Sequence, residues 1–136
     1  MPLERIQPAG LHHLPLYTHV VKAGTTVYIA GQTAVDQGGQ IVGTGDITAQ
    51  AHQTFEDLRR ALDAVGADFS NVAKITVYAT DPNYLRPIVE VRGQYFGRPD
   101  PVASTFVAVT GLALPELLVE IEAIAVLDEP DRAGSP

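Results

Sequence analysis

The chain has 136 residues, 46% of them hydrophobic and 18% charged, which is the length and balance of one globular domain with an apolar core. Its net charge of -7 makes nucleic acid a poor default partner, because an acidic surface repels phosphate backbones. The chain has no cysteine, which excludes disulfides, thiolate metal sites and a cysteine nucleophile.

The first half of the chain predicts three strands and a helix. Residues 3–6 suit a short first strand, and the β-prone runs 17–22 and 25–30 predict a hairpin. Asp46 suits the N-cap of a helix, because its carboxylate can accept hydrogen bonds from the first turn. The apolar positions that follow recur at helical spacing, and they are Ala51, Phe55, Leu58, Leu62 and Val65. Gly66 is predicted to end this helix as its C-cap.

The second half predicts a strand, a second helix and two further strands. Residues 72–80 alternate in hydrophobicity, which places on one face Ala73, Ile75, Val77 and Ala79. The second helix ends at Gly97, and residues 105–109 and 118–126 are predicted strands. This order predicts an α+β fold with one mixed sheet, covered on one face by both helices. The other face also carries apolar residues, so another subunit is expected to bury it.

Residues 1–127 are predicted to form the single domain, and the polar segment 128–136, with its two prolines, to be a disordered tail. The N-terminus has no basic start followed by an apolar run, and no stretch approaches the ~20 apolar residues of a membrane helix. We therefore expect a soluble cytoplasmic protein without a membrane partner.

Glu120 and Glu122 lie two residues apart in a predicted strand, so they share one face. Two carboxyl groups in different environments can act as proton donor and base, although a solvated strand face with two ordinary acids is the simpler interpretation. The surrounding run 117–126 is otherwise apolar, which favours burial, and a buried carboxylate needs a partner or a function.

The four histidines, His12, His13, His19 and His52, show no metal-ligand spacing. No phosphate-binding glycine loop is present, and Ser104 lacks the context of a nucleophile elbow. The sequence therefore predicts neither a metal nor a cofactor.

The chain resembles the Rid (YjgF, reactive intermediate deaminase) family in several segments that occur in the family's order. They read VYIAGQ at 27–32, AQ to AVG over 49–66, VAKITVY at 72–78, QYF at 94–96 and VEIEAIA at 119–125. Each motif is weak alone, but together they are specific. The resemblance implies a chorismate-mutase-like fold and a homotrimer whose sheets line a central barrel, with three clefts between subunits. Deaminases of this family hydrolyse reactive enamines and imines without a metal or cofactor.

The resemblance also implies roles for individual residues. Tyr17 matches a tyrosine that lines the family's cleft, Gly31 a glycine beside the ligand, and Glu120 the glutamate that positions or activates water. His19 falls where many members have glutamine, so it is either a polar residue of the cleft rim or a surface strand histidine.

Ser104 departs from the family's pattern, because the deaminases carry arginine at this position. Together with the next residue, Thr105, it is expected to line the ligand cleft. Arginine grips a carboxylate with two charge-assisted bonds, whereas serine offers one neutral donor. Loss of such a clamp costs on the order of 2–5 kcal/mol for a carboxylate ligand. The family's ligand-contacting asparagine falls near Val89, which is apolar. We therefore expect a neutral or differently charged ligand, unless Arg92 of another chain reaches the pocket and holds an acid.

Three functions remain open at this stage. The first is a hydrolase or deaminase-like enzyme acting on a small imine, enamine or related reactive metabolite with altered specificity. The second is a non-catalytic trimer that binds a small molecule or a protein partner. The third, an endoribonuclease, rests only on a family label, and the net charge of -7 argues against it.

Overall fold

The computed structural model describes residues 2–97 and 102–128. Its elements, in chain order, are β1 Glu4–Ile6, β2 Val20–Ala23, β3 Thr26–Thr33, α1 Ile47–Asp63, β4 Val72–Ala79, α2 Leu85–Phe96, β5 Ala103–Ala108 and β6 Val119–Val126. Among the described residues, no helix combines the length and apolar character needed to cross a membrane. The predicted tail lies outside these residues from position 129 onward and stays a prediction.

The strands form one sheet in the order β1-β2-β3-β6-β4-β5. Neighbouring strands are antiparallel except for β4 and β5, which are parallel and are connected through α2. The prediction of a mixed sheet with two helices is therefore confirmed. Glu120 lies near the start of β6, between β3 and β4 in the middle of the sheet.

Helix α1 begins after the predicted N-cap Asp46 and buries its predicted apolar face, but it ends at Asp63 with Ala64 as its C-cap, so the predicted C-cap at Gly66 is wrong. The Asp46 carboxylate accepts a hydrogen bond from the Ala49 amide at 3.1 Å. Phe55, Leu58 and Leu62 are fully buried, and each contributes about 1.5–3 kcal/mol by leaving water. The helix also buries polar side chains that its apolar pattern did not predict, namely Gln50, Thr54 and Asp57.

The predicted inward face of β4 is wrong at Ala73. The register between β4 and β6 shifts between Val72 and Lys74, so an extra residue bulges from the ladder. Val72 is therefore buried and Ala73 is exposed, whereas Ile75 and Val77 face the core as predicted.

The second face of the sheet is open in the single chain. Tyr28 on β3 is 50% exposed, Val126 on β6 is 46% exposed and Val107 on β5 is 37% exposed. The helices instead pack on the opposite face, where Phe55 of α1 stacks on Tyr95 of α2 at 5.1 Å between ring centroids. Within residues 2–97 and 102–128, this face, with its exposed apolar side chains, therefore has no cover.

Candidate functional site

A cavity of about 590 Å³ lies beside β3 and the start of β6. This volume suits a small-molecule ligand, since ligand pockets span about 300–1,000 Å³. Four of the six predicted site residues line it, namely Tyr17, His19, Gly31 and Glu120. Tyr17 and His19 lie in the loop before β2, Gly31 lies in β3 and Glu120 lies in β6. The fold thus brings together residues that lie about a hundred positions apart in the sequence.

Glu120 lies directly against Gly31. A methyl group built on Gly31 would come within 2.7 Å of the Glu120 carboxyl carbon, so only glycine leaves room for the carboxylate. The pairing of β3 with β6 shifts between Ile29 and Gln32, which marks a bulge that contains Gly31. A bulge bends a strand locally and re-aims its neighbours, and here it opens the space that Glu120 occupies.

Glu120 is half-buried, and its environment strengthens it as a base. Burial, and then the nearby charge of Glu122, raise the pKa of the Glu120 carboxyl above its usual value. Burial and the Glu120 charge likewise raise the pKa of the Tyr17 hydroxyl, which places this phenol within electrostatic reach of the carboxylate. At neutral pH, Tyr17 therefore stays a neutral hydrogen-bond donor beside a carboxylate that is a better proton acceptor than a solvated one.

His19 is buried, with 5% exposure, so its interpretation as a surface strand histidine is wrong. Gln32 donates from Nε2 to His19 Nδ1 at 3.1 Å, which requires the histidine proton to lie on Nε2. That Nε2 donates to the His12 carbonyl at 2.8 Å. Both ring nitrogens are thus occupied by the protein, and His19 fastens the loop around His12 to β3 while its ring forms part of the cavity wall.

Asp57 is a cavity residue that the sequence analysis missed. Its side chain is 5% exposed, accepts a hydrogen bond from Gln53 at 2.9 Å and lies 3.8 Å from Arg60. Burial raises the pKa of the Asp57 carboxyl to about 7, against the lowering effects of Gln53 and Arg60. The available signal was its position three residues after the buried Thr54, next to the apolar face of α1.

Ser104 and Thr105 do not line this cavity. In β5, Ser104 pairs with the buried Ile75 and Thr105 pairs with Thr76, so the two side chains point to opposite faces of the sheet. Ser104 faces the helices, and its hydroxyl accepts a hydrogen bond from Arg92 Nη1 of α2 at 2.9 Å. Position 104, where the sequence has serine in place of the expected arginine, therefore has the Arg92 guanidinium of α2 beside it.

Glu122 lies on the same face of β6 as Glu120, as predicted, but it is more exposed. It is exposed on the open face of the sheet, where it accepts a hydrogen bond from the Tyr78 hydroxyl at 3.1 Å. It lines a second, shallower space of about 330 Å³ with Lys74 and Thr76. Glu122 is thus an ordinary strand-face acid, whereas Glu120 belongs to the larger cavity.

Known proteins resemble this chain over most of its length. The family model described as Endoribonuclease L-PSP matches residues 10–127. A RutC family protein of Pyrococcus horikoshii is 41% identical over 111 residues, which is 80% of this chain and 85% of that protein. Human 2-iminobutanoate/2-iminopropanoate deaminase is 35% identical over 112 residues, 81% of this chain and 79% of that protein. RidA of the Antarctic bacterium Psychrobacter superposes with a TM-score of 0.83 at 31% identity, covering 91% of this chain and 99% of that one.

Proposed function

Because the chain belongs to the Endoribonuclease L-PSP family, which it shares with Rid and RutC proteins, we propose that it is a cofactor-independent hydrolase of small imines or enamines with altered specificity. One observation carries the proposal: the half-buried Glu120 carboxylate, with its raised pKa, faces a cavity that holds room for a ligand and water. The human relative is named as an imine deaminase, and the retained glutamate suits the same kind of chemistry.

Each atom of the proposed reaction has a defined course. A water molecule, positioned by Glu120, attacks the imine carbon while the carboxylate takes one of its protons. One electron pair of the C=N double bond moves to nitrogen, which receives the proton held by Glu120 and becomes the amine of a carbinolamine. The carbinol hydroxyl then gives up its proton, which is passed on to nitrogen, and its C–O bond becomes the carbonyl as the C–N bond breaks and ammonia leaves. Tyr17 contributes a neutral donor beside the cavity, and Gly31 leaves the space in which Glu120 lies.

A homotrimer with clefts between subunits is part of the proposal. Within one chain, Ser104 faces the helix side of the edge strand β5, whereas Glu120 lies in β6 and lines the cavity. They can therefore share a ligand only if two copies of the chain meet. The open apolar face of the sheet supports such an association, since it would otherwise remain in water.

The specificity follows from what replaces the family's arginine. Ser104 offers a hydroxyl, and that hydroxyl already accepts a bond from Arg92. Serine cannot itself offer the pair of charge-assisted bonds that arginine makes, and the neighbouring Arg92 guanidinium already donates to its hydroxyl, so a carboxylate ligand is gripped less firmly. We propose that uncharged or differently charged imines are the better substrates.

Ammonia release from freshly generated imines tests this function. The substrates are 2-iminopropanoate and an imine without a carboxylate, each measured against its spontaneous hydrolysis. Glu120→Gln should lower the catalysed rate by at least about a hundredfold, the usual loss of a general base. Glu90→Gln, the same substitution at an exposed position of α2 away from the cavity, is the matched control and should keep the rate. Rates equal to spontaneous hydrolysis for both imines would refute the proposal.

Binding without turnover is the second candidate, and the neutral hydroxyl of Ser104 favours it, because a weakened substrate clamp suits a sensor as well as an enzyme. A metabolite that raises the melting temperature and is recovered unchanged would support this function. Catalysed ammonia release that depends on Glu120 would remove it.

A further inference from the structure

The charges around the cavity of about 590 Å³ are one-sided. Two carboxyl groups line it, those of Asp57 and Glu120, and the lining contains no lysine or arginine among the described residues. Arg60 lies near Asp57 at 3.8 Å, but its side chain is 44% exposed and is not part of the lining. The lining also contains the imidazoles of His12 and His19, and both ring nitrogens of His19 are hydrogen-bonded within the protein. Within one chain, an anion entering this cavity would meet the Glu120 carboxylate and, above about pH 7, the Asp57 carboxylate as well, with no lysine or arginine in the described lining to offset them.

Much of the remaining wall is apolar. Five leucines line the cavity, and they are Leu11, Leu14, Leu16, Leu114 and Leu117. Leu14 is 37% exposed, Leu16 82% and Leu114 45%. Apolar side chains that cluster around a carboxylate-lined cavity suit a ligand with an apolar body and a single positively charged end.

We propose that this cavity binds organic monocations with an apolar body, and that its substrates are amine-derived iminium ions that carry no carboxylate. The second part rests on the proposed function, whereas the first concerns binding alone. The reaction would convert R–CH=NH2⁺ and water into the aldehyde R–CHO and an ammonium ion, with atoms and charge balanced. A reaction that oxidises a primary amine must supply such an ion. Asp57 would pair with the cationic end, and Glu120 would direct water to the carbon.

The affinity for a cation should depend on pH, because Asp57 changes charge. The charged groups that act on it are Arg60 and Glu56 on α1 and Asp36 after β3. The titratable side chains that line the same cavity are Glu120, Tyr17, His12 and His19. Burial raises the pKa of Asp57 to about 7, so its carboxyl is neutral below that pH and negative above it. Cation binding should therefore strengthen as the pH rises from 6 to 8.

Three unreactive probes of one shape test the proposal: benzylamine, benzyl alcohol and benzoate, with binding measured by calorimetry on the intact protein. Benzylamine stays protonated from pH 6 to 8, so only the protein changes charge. At pH 8 it should bind about tenfold more tightly than benzyl alcohol, the effect of one charge-assisted hydrogen bond, and benzoate should bind most weakly. Asp57→Asn should remove that tenfold advantage and its pH dependence. Asp63→Asn removes the same charge from an exposed position of α1 and should change neither.

Several results would overturn the inference. Tightest binding of benzoate, lost in Arg92→Gln, would assign the site to anions and to the guanidinium beside Ser104. Equal binding of all three probes, or of none, would refute charge selection. Should Asp57→Asn fail to fold, the pH dependence of the unmodified protein still decides, because a flat profile contradicts the role of Asp57. None of the probes is hydrolysed, so a failure of imine hydrolysis would leave this binding result standing.

Discussion

Gly31 illustrates how one missing side chain determines where a carboxylate can lie. A Cβ at this position would come within 2.8 Å of Glu120 Cγ and still closer to the carboxylate. The neighbour that must move is the end of a flexible side chain, so the backbone of the bulge has no need to change. Displacement of Glu120 thus removes the proposed base while the fold persists.

Gly31→Ala should therefore lower imine hydrolysis by about tenfold or more, since a misplaced base loses its geometry, while the melting temperature changes little. Steady-state ammonia release and thermal unfolding, measured on one preparation, separate the two effects. Gly38→Ala is the matched control, because its added Cβ meets only the Asp36 carboxylate at an ordinary 3.4 Å. Full activity in Gly31→Ala would show that Glu120 does not need its present position.

Asp57 lines the cavity and also affects the stability of the fold. Its pKa is raised in the folded state from 3.8 to about 7, so the folded protein binds a proton more tightly than the unfolded chain does. Between pH 3.8 and about 7, the free energy of unfolding must then fall as the pH rises. A carboxylate whose pKa is lowered by folding has the opposite effect. The negative charge that Asp57 carries at pH 8 therefore lowers the free energy of unfolding.

Asp57→Asn should raise the free energy of unfolding at pH 8 by an amount on the order of 1–4 kcal/mol, and by much less at pH 5, because the amide keeps the Gln53 bond without the buried charge. Urea unfolding at both pH values measures the difference. Asp63→Asn serves as the control and should show no such pH-dependent gain. A destabilised Asp57→Asn at pH 8 would mean that the ionised carboxylate stabilises the fold.

At the scale of elements, local patterns predicted the strands and helices well, because alternation and helical spacing reflect burial directly. The two bulges were not predictable, since the shifts at Ala73 and at Gly31 depend on how each strand meets β6. The approach of Arg92 to Ser104 joins α2 to β5 and leaves no trace in the sequence around either residue. The resemblance located the Glu120 side of the cavity, but only the packed fold showed that Asp57 lies in its wall.

Gln50 connects α1 to the segment that leads into β6. It is fully buried; its amide nitrogen donates to the carbonyls of Gly43 at 3.2 Å and Glu116 at 2.9 Å, and its oxygen accepts from the Leu118 amide at 2.8 Å. Three backbone groups thus depend on the Gln50 side chain. One of them, the Leu118 amide, lies two residues before Glu120. This glutamine sets the position of the strand that carries the proposed base.

Gln50→Leu should lower the free energy of unfolding by at least about 2 kcal/mol, because each buried backbone group left without a partner costs about 1–3 kcal/mol. Urea denaturation of the variant measures this loss. Gln94→Leu, the same substitution at an exposed position of α2, should change stability by no more than about 0.5 kcal/mol. Equal stability of the two variants would show that water replaces the Gln50 bonds without cost.

In the part of the molecule that the structure describes, the helices cover one face of the sheet and leave the other uncovered. Tyr28 and Ile124 pair across β3 and β6 on the uncovered face, with Val126 beyond them. A net charge of -7 opposes association of the chain with itself, so the burial of these apolar side chains has to outweigh that repulsion. Lys74 and Glu122 also lie on this face and must stay hydrated or paired when it is buried.

We predict that the protein in solution has three times the 14.5 kDa mass of one chain, and that Tyr28→Asp shifts it toward the monomer. A charge at a position that association would bury loses its hydration without a partner, which outweighs the apolar gain of the contact. Light scattering coupled to size-exclusion chromatography gives both masses directly. Ala64→Asp adds the same charge at an exposed residue at the end of α1 and should leave the trimer intact. If the unmodified chain is a monomer at all concentrations, Ser104 and Glu120 cannot share a ligand, and the cavity of the single chain must then account for all binding.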